Sequence, residues 1–249
     1  MTAWRIIPLS ENSAALNMAI DHAIYEAVAQ NKSPPTIRFY AWKPSAVSIG
    51  TFQSMHDEID IEKCNAQSVE YVRRRTGGGA VYHDNRGEIT YSVIAPESMF
   101  PKNIIESYQV ICGWIIESLR LLNITAEFKP INDICVAGKK ISGNAQTRRS
   151  GVLLQHGTIL YDVDVDTMFS LLKVPDEKIR DKMIAAVKDR VTRILNFTSA
   201  SRKDVYDALL KGFTEGKRWM IGQLTKEEQE SAQQWAETLY SSNEWNFKR

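Results

Sequence analysis

Three arginines run directly into three glycines in the stretch Arg73-Arg74-Arg75-Thr76-Gly77-Gly78-Gly79-Ala80-Val81-Tyr82-His83-Asp84. Residues 68–72 before it and 80–82 after it have strand character, so the glycines interrupt extended structure. A glycine triplet there is costly, because each glycine loses more backbone freedom on folding than other residues and packs no side chain. The arrangement suits a place where a ligand lies on the backbone, with several N–H groups and fixed positive charge turned to an anion. The plainer alternative is a tight turn beside a solvated basic run.

The charge balance keeps that basic run local. Lys+Arg 31 against Asp+Glu 30 leaves a net charge of +1, which gives no global field to hold a polyanion and excludes a nucleic-acid partner as the main reading. The 249 residues suffice for one large α/β unit or two smaller ones, and we expect a single domain over residues 1–249. Cys64, Cys112 and Cys135 are odd in number and form no C-x-x-C pair, which fits a reduced, cytoplasmic protein. No apolar run approaches the ~20 residues of a membrane span, and the N-terminus has no signal-peptide pattern.

The pattern along the chain predicts an α+β fold with a mixed β-sheet flanked by helices. Strands are expected over residues 4–8, 36–42, 46–50 and 88–95, those at 36–42 and 46–50 pairing around Lys43-Pro44-Ser45. Helices are expected from the Ser10–Ser13 region to about residue 29, over 60–66, and over 101–122, where apolar residues recur at helical spacing. Residues 125–161 return to strands, and short helices follow at 166–172, 176–189, 202–212 and 225–240.

A second constellation is Asn132-Asp133-Ile134-Cys135-Val136-Ala137-Gly138-Lys139-Lys140-Ile141-Ser142-Gly143-Asn144-Ala145. A lysine entering a strand of small residues reaches into the room those residues leave above the sheet. Asn132 and Asp133 supply oxygens of the type Mg²⁺ accepts. A nearby ammonium stabilises charge developing on a carbonyl or phosphoryl oxygen. A hairpin whose turn is solvated by its lysines is the alternative.

Together the two stretches, with Gln155-His156-Gly157-Thr158-Ile159-Leu160, resemble lipoate–protein ligase. The resemblance continues through Val174-Pro175-Asp176-Glu177-Lys178, Asp189-Arg190-Val191 and Glu244-Trp245-Asn246-Phe247. It implies a fold like that of biotin–protein ligases and class II synthetases, and a two-step reaction. Lipoate and MgATP would give lipoyl-AMP; the lipoyl group would then pass to a lysine of a carrier, such as the lipoyl domain of a 2-oxoacid dehydrogenase E2 or a glycine cleavage H protein. Lys140 falls on the family's essential lysine. Arg74, Gly77, Gly78, Gly79, Val81 and His83 fall on the loop that holds lipoyl-AMP. Gly143 and His156 also fall on the binding site, and Asn132 and Asp133 on the Mg²⁺ position. The chain resembles most the split ligases, whose accessory C-terminal domain is a separate small subunit, so adenylation is expected to require such a partner.

The nearest competitor is an octanoyltransferase of the same fold, which works through a cysteine acyl-enzyme. One class carries that cysteine three residues before the His-Gly pair, where this chain has Leu153. The other carries it in a longer insertion before the Gly-Lys-Lys turn. Cys135 is the nearest candidate here, and the neighbouring Asp133 disfavours its thiolate. A biotin ligase ranks third, because its glycine and lysine motifs differ in their surroundings. Candidate walls for the apolar tail of lipoate are Phe39-Tyr40, Val47-Ser48-Ile49-Gly50 and Val81-Tyr82. His22 and His56 have no motif support, and His156 is read equally as an acyl-site residue or a core histidine.

Overall fold

A computed structural model describes residues 3–173 and 189–249. The chain begins with β1 (Trp4–Asn12) and α1 (Ala14–Ala29), whose N-cap Ser13 accepts the Leu16 N–H. Next come β2 (Thr36–Trp42), β3 (Ala46–Ile49), α2 (Met55–Glu58), α3 (Ile61–Ala66), β4 (Glu70–Arg73), β5 (Val81–His83) and β6 (Glu88–Pro96). The long helix α4 (Ile104–Arg120) is capped by Asn103, whose side chain accepts the Ile105 and Glu106 N–H groups. Strands β7 (Glu127–Lys129), β8 (Asp133–Val136), β9 (Lys139–Arg149) and β10 (Val152–Leu160) follow, then α5 (Val165–Leu171). After the gap come α6 (Arg202–Thr214), β11 (Trp219–Ile221), α7 (Lys226–Trp235) with a π turn at Ala236–Tyr240, and α8 (Asn243–Asn246).

Eight strands form a mixed sheet in the order β11-β1-β2-β6-β10-β9-β8-β7, and β4-β3-β5 form a separate three-stranded sheet. Alternation along the strands divides the core into two layers. Ile37 and Phe39 of β2, with Ile89, Tyr91 and Val93 of β6, pack on Ile111, Ile115, Leu209 and Phe213 of α4 and α6. On the opposite face Ile94 and Leu154 pack on Ile20, Ala23 and Ile24 of α1, with Ala232 of α7 behind them. The polar members of this second face, Arg38, Thr90, Ser92 and His156, are equally buried.

The mixed sheet with flanking helices is the expected architecture. One pairing is corrected: residues 36–42 and 46–50 do not form a hairpin. β2 joins β1 and β6, whereas β3 joins β4 and β5. Both segments are buried along their whole length, so neither shows the alternation that would place it in one sheet or the other. The expected helix over residues 176–189 and the Val174–Lys178 motif lie essentially outside the described residues. Among the described residues no helix is long and apolar enough to cross a membrane.

Candidate active site

The three arginines do three different jobs, and none offers a free guanidinium to the cavity. Arg73 is fully buried and donates to the carbonyls of Thr51, Gln53, Trp245 and Asn246, tying the C-terminal turn to the segment after β3. Arg75 turns to the other side, where it meets His22 Nε2 and lies over the Tyr25 ring. Arg74 sits between them and uses all five of its N–H donors within the protein. Nε donates to Thr76 Oγ1 at 3.2 Å, Nη1 to the Ser48 carbonyl and Oγ at 3.0 and 3.1 Å, and Nη2 to the carbonyls of Gly77 and Gly79 at 2.7 and 2.8 Å. Burial lowers its pKa to about 10, so it remains a cation at neutral pH. The arginine next to the glycines thus shapes their loop by holding its carbonyls.

The glycines are required by closeness. Gly78 has φ +94°, and a Cβ on Gly50 would stand 2.1 Å from the Gly78 carbonyl oxygen. That atom is backbone and has no rotamer by which to retreat. Gly50→Ala is therefore expected to destabilise the fold by about 1–3 kcal/mol and to shift the loop, which urea unfolding beside an activity assay measures.

A second network reaches the same loop from α1. Asp21, buried on the inner face of α1, pairs with Arg38 Nη1 at 2.8 Å and accepts from Ser92 Oγ at 2.9 Å. Arg38 also donates to the Asn17 side chain at 2.5 Å. Burial opposes the Asp21 charge, but the Arg38 guanidinium and His156 outweigh it and hold the carboxyl below its usual range. His156 Nδ1 stands 3.9 Å from Asp21, and its Nε2 is 2.7 Å from Thr76 Oγ1 at the start of the glycine loop. Burial lowers the His156 pKa in spite of Asp21, which favours the neutral ring.

Between the two sheets lies a cavity of about 550 Å³. Its walls include Met18, Trp42, Val163, Met168, Phe169 and Leu172. Of the residues singled out in the sequence, Arg74, Gly78, Gly79, Val81, His83, Asn132, Asp133, Lys140, Gly143 and His156 all line it. Gly77 does not: its carbonyl is taken by Arg74 and its Cα side is toward Phe52. Alternation sorts the expected walls. Tyr40, Ser48 and Val81 face the cavity, while Phe39 belongs to the α4 layer and Val47 and Ile49 to the core under the small sheet; Tyr82 packs in that core and also reaches the cavity wall.

Lys140 is the second residue of the long strand β9, and its Nζ is 2.8 Å from Asp133 Oδ1. A Cβ on Gly143 would stand 2.6 Å from Lys140 Cε and Nζ, so the glycine provides the groove in which the lysine lies. Gly143→Ala would displace a flexible side chain and leave the backbone in place. We expect a kcat loss of about 10-fold or more from the misplaced ammonium with the melting temperature nearly unchanged, as thermal denaturation and steady-state rates would show. Among the described residues, the side chains of Asn132 and Asp133 each make one polar contact. Asn132 Nδ2 donates to the Asn144 carbonyl and Asp133 pairs with Lys140. The ammonium lies on Oδ1 of the Asp133 carboxylate. Among the described residues no group of three His, Cys, Asp or Glu is placed to hold a metal. A Mg²⁺ at Asn132 and Asp133 would therefore take most of its ligands from substrate and water.

Sequence reasoning missed Asp21, Arg38, Glu88 and Trp42. A signal for the first was present: Asn17 and Asp21 lie one turn apart on the face that α1 buries. The unassigned His22 is buried against Trp235, with ring centroids 4.4 Å apart, and is part of the packing of α1 on α7. All three cysteines are free and buried.

The site thus combines a buried cationic loop, a lysine in a glycine groove and a half-open cavity between the two sheets. Residues 13–214 match the family model of the lipoyl protein ligase A/B catalytic domain, and the chain belongs to that family. It is 38% identical over 275 residues to octanoyltransferase LipM of Geobacillus kaustophilus, covering 99% of this chain and 98% of the relative. It is 36% identical over 277 residues to octanoyltransferase LipM of Bacillus subtilis, with 99% and 98% covered. Among solved structures it superposes on the bi-partite lipoate protein ligase of Thermoplasma acidophilum, described with its E2 lipoyl domain. The TM-score is 0.89 and the identity 32%, with 99% of this chain and 97% of that chain covered. A lipoate-protein ligase A bound with ATP superposes with TM-score 0.86 at 29% identity, 99% of each chain covered. These structures show the lipoate ligase fold. The expectation of an ATP-dependent lipoate–protein ligase is corrected by the curated relatives, which match over their full length and are octanoyltransferases.

Proposed function

We propose that the chain is an acyltransferase that moves an octanoyl or lipoyl group from an activated thioester to a lysine of a lipoyl carrier domain. The observation that carries this reading is the cavity between the sheets, largely apolar and with Lys140 in its wall. Its volume falls within the range of roughly 300–1,000 Å³ in which small-ligand sites lie. The names of the relatives support the octanoyl group, and the lipoyl domain described with the Thermoplasma ligase supports the carrier.

The residues divide the work by position. The apolar walls take the hydrocarbon tail and exclude water. Lys140 keeps one donor on Asp133 and has two more for the acyl oxygen. As a nucleophile adds to the carbonyl carbon, that oxygen gains charge, and an ammonium already in place stabilises it without reorganisation. Arg74 and the His156–Thr76 contact hold the glycine loop against the bound acyl group. Transfer from a thioester draws on neither ATP nor Mg²⁺, and the small accessory subunit expected for adenylation has no step to serve in it.

The test is to incubate the chain with an octanoyl thioester and an apo lipoyl domain, and to read the carrier's mass. One octanoyl group on the wild-type carrier and none on a carrier whose acceptor lysine is arginine supports the reading. An unmodified wild-type carrier refutes it.

A further inference from the structure

The cavity contains a second constellation that the roles above leave unused. Ser48 Oγ is 2.8 Å from His83 Nε2, and His83 Nδ1 is 2.9 Å from Glu88 Oε1. The three residues come from β3, β5 and β6; all are buried, and Ser48 and His83 line the cavity wall. The ring of His83 is clamped by Trp42, with centroids 3.9 Å apart and planes 14° from parallel. Glu88 Oε1 also accepts from Thr90 Oγ1 at 2.5 Å, and Thr90 in turn accepts Trp42 Nε1–H at 2.7 Å. The carboxylate, the ring and the indole therefore fix one another.

A ring that donates Nδ1–H to Glu88 presents Nε2 as the acceptor for the Ser48 hydroxyl. Nucleophile, base and orienting carboxylate then stand in the order by which such triads are known, since geometry and roles identify them rather than chain order. Arg74 Nη1 at 3.1 Å from Ser48 Oγ adds a positive charge beside the oxygen that would lose its proton.

We propose that Ser48 carries the acyl group in transit, with His83 as its base and Glu88 orienting the ring. This inference rests on the acyltransferase reading. In the first half-reaction Ser48 Oγ bonds to the thioester carbonyl carbon and its proton passes to His83 Nε2. The C–S bond breaks, and the departing sulfur takes that proton and leaves as a thiol. In the second, the carrier lysine amine attacks the seryl ester and gives a proton to His83. The C–O bond breaks, the proton returns to Ser48 Oγ, and the amide leaves. Atoms and charge balance with no further reactant.

The thiols make weaker carriers. Cys64 and Cys112 lie outside the cavity lining, and burial pushes their pKa values up to about 11 and about 12. Cys135 does line the cavity opposite Lys140 on the neighbouring strand, but burial, Asp133 and Glu127 raise its pKa against the pull of Lys129 and Lys140. The relatives also carry segments this chain lacks, since 277 aligned positions take in all 249 of its residues.

The experiment maps the intermediate on the unmodified chain. Wild-type protein is mixed with an octanoyl thioester without acceptor, quenched in acid and digested, and the peptides are weighed. The expected adduct lies on the peptide containing Ser48, survives neutral hydroxylamine and is released by alkaline hydroxylamine. Ser48→Ala abolishes it and lowers carrier octanoylation by about 10³-fold or more. Glu88→Gln lowers kcat by about 10²-fold or more while KM for the thioester stays within about twofold, a split that simple loss of folding would not produce. An adduct on Cys135 that neutral hydroxylamine strips overturns the proposal. So does carrier octanoylation at the wild-type rate by folded Ser48→Ala, or transfer by the wild type with no covalent adduct formed. The last two leave the acyltransferase reading standing, whereas a wild-type chain that octanoylates no carrier removes both.

Discussion

Lys140→Ala lowers kcat for carrier octanoylation by about 10²–10³-fold, the cost of removing one preorganised donor from a developing oxyanion. The effect should be confined to turnover. The Lys140 side chain is 39% exposed and its partner Asp133 34% exposed, so the pair contributes little to stability. Lys140→Arg is not a conservative rescue. The guanidinium is planar and longer, and Gly143 provides space for a narrow chain ending in an ammonium. Steady-state rates at saturating thioester and the circular dichroism melt of each variant check both statements. A Lys140→Ala protein that turns over within threefold of the wild type would remove the lysine from the chemistry.

The second large effect concerns stability. Asp21→Ala is expected to cost about 3–5 kcal/mol, because it leaves the fully buried Arg38 guanidinium without its carboxylate. Most of that cost comes from stranding a charge and not from the net worth of the pair. Replacing Asp21 and Arg38 together by apolar residues should therefore cost less than the two single changes added. Urea unfolding of the two singles and the double provides the comparison. Activity should fall in Asp21→Ala even where the protein is folded, since His156 loses a partner and its hold on Thr76 loosens.

How far the sequence carried follows from the kind of signal each feature leaves. α1 and α4 were legible because their signals are local: Ser13 stands where the first begins, and apolar residues recur at helical spacing along the second. The glycine-loop and Lys140 stretches were legible as motifs, and the structure brings them to one cavity. The partition of β2 and β3 into two sheets was not legible, since a strand buried on both sides shows no face. β11 escaped because its three residues, Trp219, Met220 and Ile221, are an exposed edge with no alternation to read. The hydrogen bonds of Arg74 were not legible for a related reason. An arginine beside glycines looks like an anion site in one dimension, and only the fold shows that the loop's own carbonyls occupy its donors. Ser48, His83 and Glu88 come from three strands, and no local pattern joins them.

The choice of acyl donor separates thioester transfer from adenylation. The chain is mixed with an apo lipoyl domain and given either an octanoyl thioester without nucleotide or free octanoate with ATP and Mg²⁺. Carrier mass and pyrophosphate are followed in both. A modified carrier is expected from the thioester alone, with no pyrophosphate released in either arm. Carrier modification that appears only with free acid and ATP, matched by stoichiometric pyrophosphate, would contradict thioester transfer.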